Sequence, residues 1–288
     1  MQKCIFNSLL LSKQKKGRLE EKNLLKLRKL ELEKLKVYQL KLQILSDTHC
    51  YDYTLDPTAD LIVHAGDFGN NGMYFLLEFA NKCNKMSIPY VIVPGNHDLY
   101  STEMTAILNY LDSLNINYLK DGKEFKFKDK TFVGGTLFTN FRSNKLLYTD
   151  NELDIYTHKD NAEKFIYDFK SIGYNGSLIK ADNYITEFNK QWNWIQNYKD
   201  RDDVIVLTHF PPNLCCLSDY WRDHPTDYIL NPYFVNDLDV KGFKLWISGH
   251  VHHAVDTVID DCRIIVNPLG YRGEHNKNGY IDNFIIEV

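Results

Sequence analysis

Two aspartates, one asparagine and four histidines stand at spacings that could hold a pair of divalent cations. They are Asp47 and His49 in Asp-Thr-His, Asp67 in Gly-Asp, Asn96 in Gly-Asn-His-Asp, the single His209, and His250 and His252 in Gly-His-Val-His. Two such ions about 3.5–4 Å apart can clamp both the attacking and the leaving oxygen in phosphoryl transfer. The pair needs one carboxylate whose two oxygens reach both ions, and Asp67, in a tight turn after Gly66, suits that place. Asp47 and His49, two residues apart, can face one ion together. Asn96 offers a neutral carbonyl oxygen, and His209, His250 and His252 complete seven ligands. Mixed oxygen and imidazole donors favour Mn, Fe, Co, Zn or Ni over Ca or Mg. Gly66, Gly95 and Gly249 permit close backbone approach.

Every one of these groups follows an apolar run that reads as a strand. Residues 40–45 lead to Asp47, 59–65 to Asp67, 90–93 to Gly95-Asn96, 203–207 to His209 and 244–247 to Gly249-His250. Helical patterns over 73–86 and 102–114 alternate with them. Residues 126–133 read as a strand entering Gly134-Gly135-Thr136, 255–266 as a hairpin turning at Asp260-Asp261, and 280–288 as a closing strand. That alternation predicts an α/β layer with a mixed sheet, and ligands bind such sheets beyond the carboxyl ends of their strands. Residues 138–200 read as an irregular insertion with a helix over 181–198, a rim over the site.

The ordered motifs resemble those of the calcineurin-like metallophosphoesterase superfamily: Asp-x-His, Gly-Asp, Gly-Asn-His-Asp/Glu, a lone His and Gly-His-x-His, matched from about Leu40 to the C-terminus. Gly134-Gly135-Thr136-Leu137 and Asn267-Pro268-Leu269-Gly270-Tyr271 are similar to stretches in small bacterial and phage phosphohydrolases. The resemblance implies a β-sandwich of two mixed sheets flanked by helices, where the strand pattern alone gives a generic α/β layer. It implies that Asp47, His49, Asp67 and His252 bind one metal, and Asp67, Asn96, His209 and His250 the other. The activity implied is hydrolysis of a phosphomonoester or phosphodiester by in-line attack of a metal-bridging hydroxide, with no covalent enzyme intermediate. The cofactors would be two divalent ions: Mn, Fe or Zn. His97 is the motif histidine left free, the expected general acid for the leaving oxygen, with Asp98 expected to hold its tautomer.

Charge separates the ends of the chain. Residues 1–41 carry 12 Lys/Arg and 4 Asp/Glu, leaving 22 basic and 34 acidic residues in 42–288. Residues 1–39 read as a basic Lys/Leu/Glu-rich extension, helical or disordered, ahead of a domain over 40–288. An acidic body disfavours a broad nucleic-acid face, so a nuclease-type phosphodiesterase is the lesser alternative, beside a non-catalytic scaffold of the same fold. The second motif runs Gly-Asp-Phe-Gly-Asn and lacks the Asp-Arg-Gly of protein serine/threonine phosphatases. A small phosphoester is the expected partner. Cys4, Cys50, Cys83, Cys215, Cys216 and Cys262 form no CxxC pair and read as reduced thiols of a cytoplasmic protein. No apolar run is long enough to span a membrane, and no signal-peptide pattern is expected.

The remaining candidates carry weaker signals. His253 after the last motif, Arg272 and His275 in the loop over 270–279, and Arg142 in the insertion are candidate substrate contacts. His64 reads as a core residue behind the site and Asn70 as a turn residue. His158 and His224 stand apart from every motif. Phe138, Phe141, Tyr148, Tyr156, Trp192 and Trp194 read as packing or rim residues.

Overall fold

The computed structural model describes residues 39–70, 73–142, 152–223 and 230–288. The basic extension (apart from Gln39), Tyr148 and His224 lie outside the described residues. Lys41–Val288 forms one compact unit.

Twelve strands and seven helices follow in chain order among the described residues: β1 Lys41–Leu45, β2 Leu61–His64, α1 Tyr74–Met86, β3 Tyr90–Ile92, α2 Met104–Ser113, β4 Phe125–Phe127, β5 Lys130–Gly135, α3 Glu152–Phe165, α4 Asp168–Ser171, β6 Gly173–Tyr174, β7 Ser177–Leu178, α5 Ala181–Gln196, β8 Val204–Thr208, α6 Asp219–Asp223, α7 Asn231–Phe234, β9 Leu245–Ser248, β10 Val255–Ile259, β11 Cys262–Val266 and β12 Ile285–Glu287. The strands form a four-stranded sheet in the order β12-β1-β2-β3, a six-stranded sheet in the order β10-β11-β9-β8-β5-β4, and the small hairpin β6-β7. Both larger sheets are mixed, because β12 and the two edge strands β10 and β4 pair antiparallel with otherwise parallel neighbours. Two mixed sheets flanked by helices therefore replace the single layer that the strand pattern alone predicts.

The central strands are buried on both faces. In β1 and β2, Leu42, Ile44, Leu61 and Val63 are inaccessible, and so are their alternates Leu45 and Ile62. Successive side chains point to opposite faces of a strand, so full burial of both sets requires a layer on each side. One set packs with α1 and α2 through Leu76, Phe79, Ile107 and Leu111. In the six-stranded sheet, Val206, Trp246 and Ile264 pack with Phe188 and Ile195 of α5. Truncating one such side chain to Ala costs about 2–5 kcal/mol.

Local differences from the sequence reading have local causes. Residues 126–133 are a hairpin, not one strand: β4 and β5 turn at Lys128-Asp129, with Lys128 at φ 53° and no Gly or Asn to announce the turn. The Asp260-Asp261 turn is where the pattern puts it, both residues having positive φ. The insertion is not irregular, since α3, α4, the β6-β7 hairpin and α5 make it mostly regular. Its aromatics divide: Phe138 and Phe141 are buried, Trp192 packs near Trp246 and Phe243, Trp194 meets Tyr198 edge-on, and Tyr156 is exposed. Among the described residues no helix is long and apolar enough to cross a membrane.

Candidate metal centre

The motif loops are tied to each other before any side chain is considered. The backbone N–H of Asp47 donates to Gly66 (2.9 Å), that of His49 to Asp67 (3.1 Å), that of Cys50 to Phe68 (2.7 Å) and that of Gly249 to His209 (2.9 Å). Five of the seven candidate ligands hold a left-handed backbone: Asp47 (φ 51°), His49 (44°), Asp67 (60°), His250 (74°) and His252 (48°). Each such residue costs on the order of 1–2 kcal/mol, and clustering of that strain is typical of functional loops. Gly95 is forced by proximity, since a Cβ there would lie 2.0 Å from Asp67 Oδ1.

Asp67 lies in the middle. Its Oδ2 is 3.8 Å from His49 Nε2, and its Oδ1 is 3.4 Å from His209 Nε2. Asp47, His49 and His252 present ligand atoms within 4.8 Å of one another on one side, and Asp67, His209 and His250 do so on the other. Asn96 joins the second group through Oδ1, 2.9 Å from His209 Nε2. All seven sequence candidates thus converge. His97 adjoins the first group, its Nε2 3.9 Å from Asp67 Oδ2.

The donors fit a cation better than they fit each other. Nδ1 of His209 contacts the Ala65 carbonyl at 2.7 Å, and Nδ1 of His252 contacts Glu274 Oε2 at 2.7 Å. An Nδ1 facing an acceptor carries the proton, so in the neutral rings the Nε2 lone pairs are turned into the site. His252 Nε2 then faces His49 Nε2 at 2.9 Å, close to the edge of an octahedron with bonds of about 2.1 Å. His250 Nε2 is buried with no hydrogen-bond partner, as is His49 Nδ1.

The electrostatics agree. Burial lowers His49 to about 4 and holds His250 well below its ordinary value, so both are neutral imidazoles. For His209 burial also pulls down, but the Asp67 charge and hydrogen bond outweigh it and carry the ring up to about 9. His252 behaves alike: its bonds to Asp47 and Glu274 overcome burial and raise it to about 10. Burial pushes Asp47 upward, yet the His252 bond brings it down to about 2. These pairs hold protons where a divalent ion would compete for the same lone pairs.

Residues 40–254 match the family model described as calcineurin-like phosphoesterase. The chain belongs to this family. The phosphoesterase is a metal-dependent phosphoric ester hydrolase, and its His/Asp clusters are candidate sites for the divalent ions the family uses. No curated protein matches it in sequence. Among solved structures it is similar to a phosphopantetheinyl hydrolase from Mycobacterium tuberculosis, with 14% identity, a TM-score of 0.57, 86% of this chain and 95% of that chain covered. It is also similar to a dimetal phosphatase from Danio rerio, with 12% identity, a TM-score of 0.44, and 79% and 86% covered. At 14% identity the likeness to the phosphopantetheinyl hydrolase is one of fold.

One expected contact is replaced by another. Asp98 does not support the His97 ring: its buried carboxylate accepts the backbone N–H groups of Asp67 (3.0 Å), Phe68 (2.9 Å), Gly69 (3.3 Å) and Gly95 (2.8 Å). Burial and the neighbouring Asp67 charge push it up to about 8, against the pull of those donors. It therefore shapes the Gly-Asp loop. The phosphoesterase instead sets the Asn70 amide oxygen against His97 Nδ1, while Tyr271 Oη lies 3.3 Å from His97 Nε2. The Asn70 side chain thus has a partner inside the site, which a turn residue would not need.

The weaker candidates are scattered. His253 is half-buried, and Arg272 and Arg142 are exposed. His275 bonds the Gly270 carbonyl at 3.1 Å, and His158 is buried against the Phe141 carbonyl at 3.2 Å. His64 is a core residue: Phe68 stacks on it at 3.8 Å, and its nitrogens meet Thr48 Oγ1 and the Gly66 N–H at 3.2 Å each. Sequence reasoning missed Glu274, which holds His252, and Tyr271, whose ring centroid is 4.4 Å from that of His49. It also missed Asp168, which accepts from Asn96 Nδ2 at 3.0 Å. Tyr271 ends the Asn267–Tyr271 stretch flagged by resemblance, whereas Asp168 lies in no motif.

Proposed function

We propose that this phosphoesterase hydrolyses a phosphomonoester or phosphodiester at a two-metal centre, by in-line displacement at phosphorus and without a covalent enzyme intermediate. The observation that supports this most is Asp67, whose two carboxylate oxygens face different histidine groups, Oδ2 toward His49 and Oδ1 toward His209. Asp47, His49, Asp67 and His252 would hold one ion, and Asp67, Asn96, His209 and His250 the other. Bound there, Mn, Fe or Zn supplies Lewis acidity and a water acidified to near neutrality.

The chain's own residues supply orientation and a proton. Asn70 Oδ1 accepts from His97 Nδ1–H, so in the doubly protonated ring the Nε2 proton is the one given to the leaving oxygen, and the ring is left as the neutral Nδ1–H tautomer. Tyr271, 41% exposed, covers the rings of His49 and His252 and presents its hydroxyl beside His97, where it meets the ester. Glu274 fixes the His252 ring so that Nε2 faces inward.

The test is turnover of nitrophenyl phosphate beside bis-nitrophenyl phosphate by metal-stripped protein given back Mn. Metal-dependent release of nitrophenol from either ester is expected. Two bound ions with no turnover of either ester would overturn the reading and favour a scaffold.

A further inference from the structure

Asp168 reaches the centre from α4 of the insertion. Its side chain is fully buried, and four neutral donors surround it. Oδ1 accepts from Tyr100 Oη (2.6 Å) and Asn96 Nδ2 (3.0 Å), and Oδ2 from Tyr233 Oη (2.6 Å) and from the Tyr184 hydroxyl. Burying a carboxylate costs several kcal/mol before its hydrogen bonds are counted. An apolar residue would fill this space among Phe169, Tyr184 and Tyr233 without that cost. The anion needs a reason beyond packing.

Asn96 supplies one. An amide has a donor end and an acceptor end of nearly equal size, and its neighbours decide which way it points. A carboxylate only accepts, so Asp168 takes the NH2 end. The carbonyl oxygen is left facing His209 Nε2 at 2.9 Å. The reverse orientation would set oxygen against oxygen at Asp168 and turn N–H donors toward the cage, where they cannot ligate a cation. The three phenols fix Asp168 in turn. Burial first, then the Asp168 charge, raises all three above the ordinary phenol value and keeps them protonated donors.

We propose that Asp168 is a positioning residue which selects the amide orientation of Asn96 and thereby makes it an oxygen ligand of the second ion. The insertion is then part of the metal centre, through one carboxylate. This rests on the two-metal reading above.

The test is calorimetric titration of the metal-free full-length protein with Mn, with thermal melting of each metal-free variant beside it. Wild type takes up two ions. D168N leaves one acceptor oxygen for four donors, and its second-site affinity falls by about tenfold or more while the first site is unchanged. N96D weakens the same site, although a carboxylate ordinarily binds Mn better than an amide does. The double variant D168N/N96D restores a donor–acceptor pair with polarity reversed and recovers second-site affinity. A merely structural role would lower the melting temperature of D168N, leave its isotherm alone and give no rescue. An unchanged second site in folded D168N, tighter binding by N96D, or failure of the double variant to recover would each overturn the proposal. Should D168N not fold, the N96D arm decides it. Fewer than two ions on wild type would overturn the two-metal reading and this one with it, whereas two ions on wild type with the same second-site affinity in D168N and N96D would overturn this one alone.

Discussion

His49 and His252 meet through their Nε2 atoms, 2.9 Å apart, while His252 Nδ1 is held by Glu274. Two lone pairs at that distance repel unless a proton or a cation lies between them. In the metal-free protein His252 holds its extra proton against burial through its bonds to Asp47 and Glu274, which raise it to about 10, and Asp67 likewise raises His209 to about 9. Both exceed the ordinary imidazole value of about 6.5, so their contribution to apo stability is complete below that pH and is lost as pH rises through 9 to 10. Mn binding at pH 7.5 should therefore release about two protons, and almost none at pH 10.5. Calorimetry in buffers of different ionisation enthalpy measures this, and pH-independent release would refute it.

Asp67→Asn keeps the shape of the central side chain but leaves one oxygen where two face the two groups. Uptake of Mn should drop from two ions to at most one. Turnover should fall by about a thousandfold or more, because the shared clamp is worth several kcal/mol in the transition state. Elemental analysis of folded protein checks the first, and full occupancy would show that Asp67 does not bridge.

His97→Ala should retain both ions and lose about 10²- to 10⁴-fold in kcat, the usual scale for a removed general acid. Asn70→Ala should cost less, since it frees the tautomer without removing the ring. Bound metal below one ion per chain in His97→Ala would make that residue a ligand instead.

Glu274→Ala leaves His252 in place but unheld. Affinity for the first ion should weaken about 10- to 100-fold, with turnover restored by excess Mn. Loss of turnover that excess metal cannot repair would point to a role for Glu274 on the substrate.

The convergence of the candidate site was legible because its residues sit at strand ends, where apolar runs and Gly-flanked polar residues mark them: Asp47, Asp67, Asn96, His209, His250. The supporting residues carry no such mark. Glu274 and Asn70 are ordinary loop polar residues until the fold sets them against His252 and His97. Asp168 lies 72 positions from Asn96 in the chain, so no spacing rule connects them. Asp98 was misjudged for a related reason: adjacency in Gly-Asn-His-Asp suggests a side-chain pair, but the turn aims its carboxylate at backbone N–H groups. The division into two sheets also has no local signature, since β3 and β5 each resemble an ordinary next strand, and only pairing shows that they belong to different layers.

The two sheets have one more consequence. Asp47, His49, Asp67 and Asn96 follow strands of the four-stranded sheet, whereas His209, His250 and His252 follow strands of the six-stranded one. Each candidate cage draws on both. During translation, therefore, the second cage cannot close until residue 250, nor the first until residue 252, has left the ribosome and the halves have docked, which makes metal loading a late reporter of correct assembly.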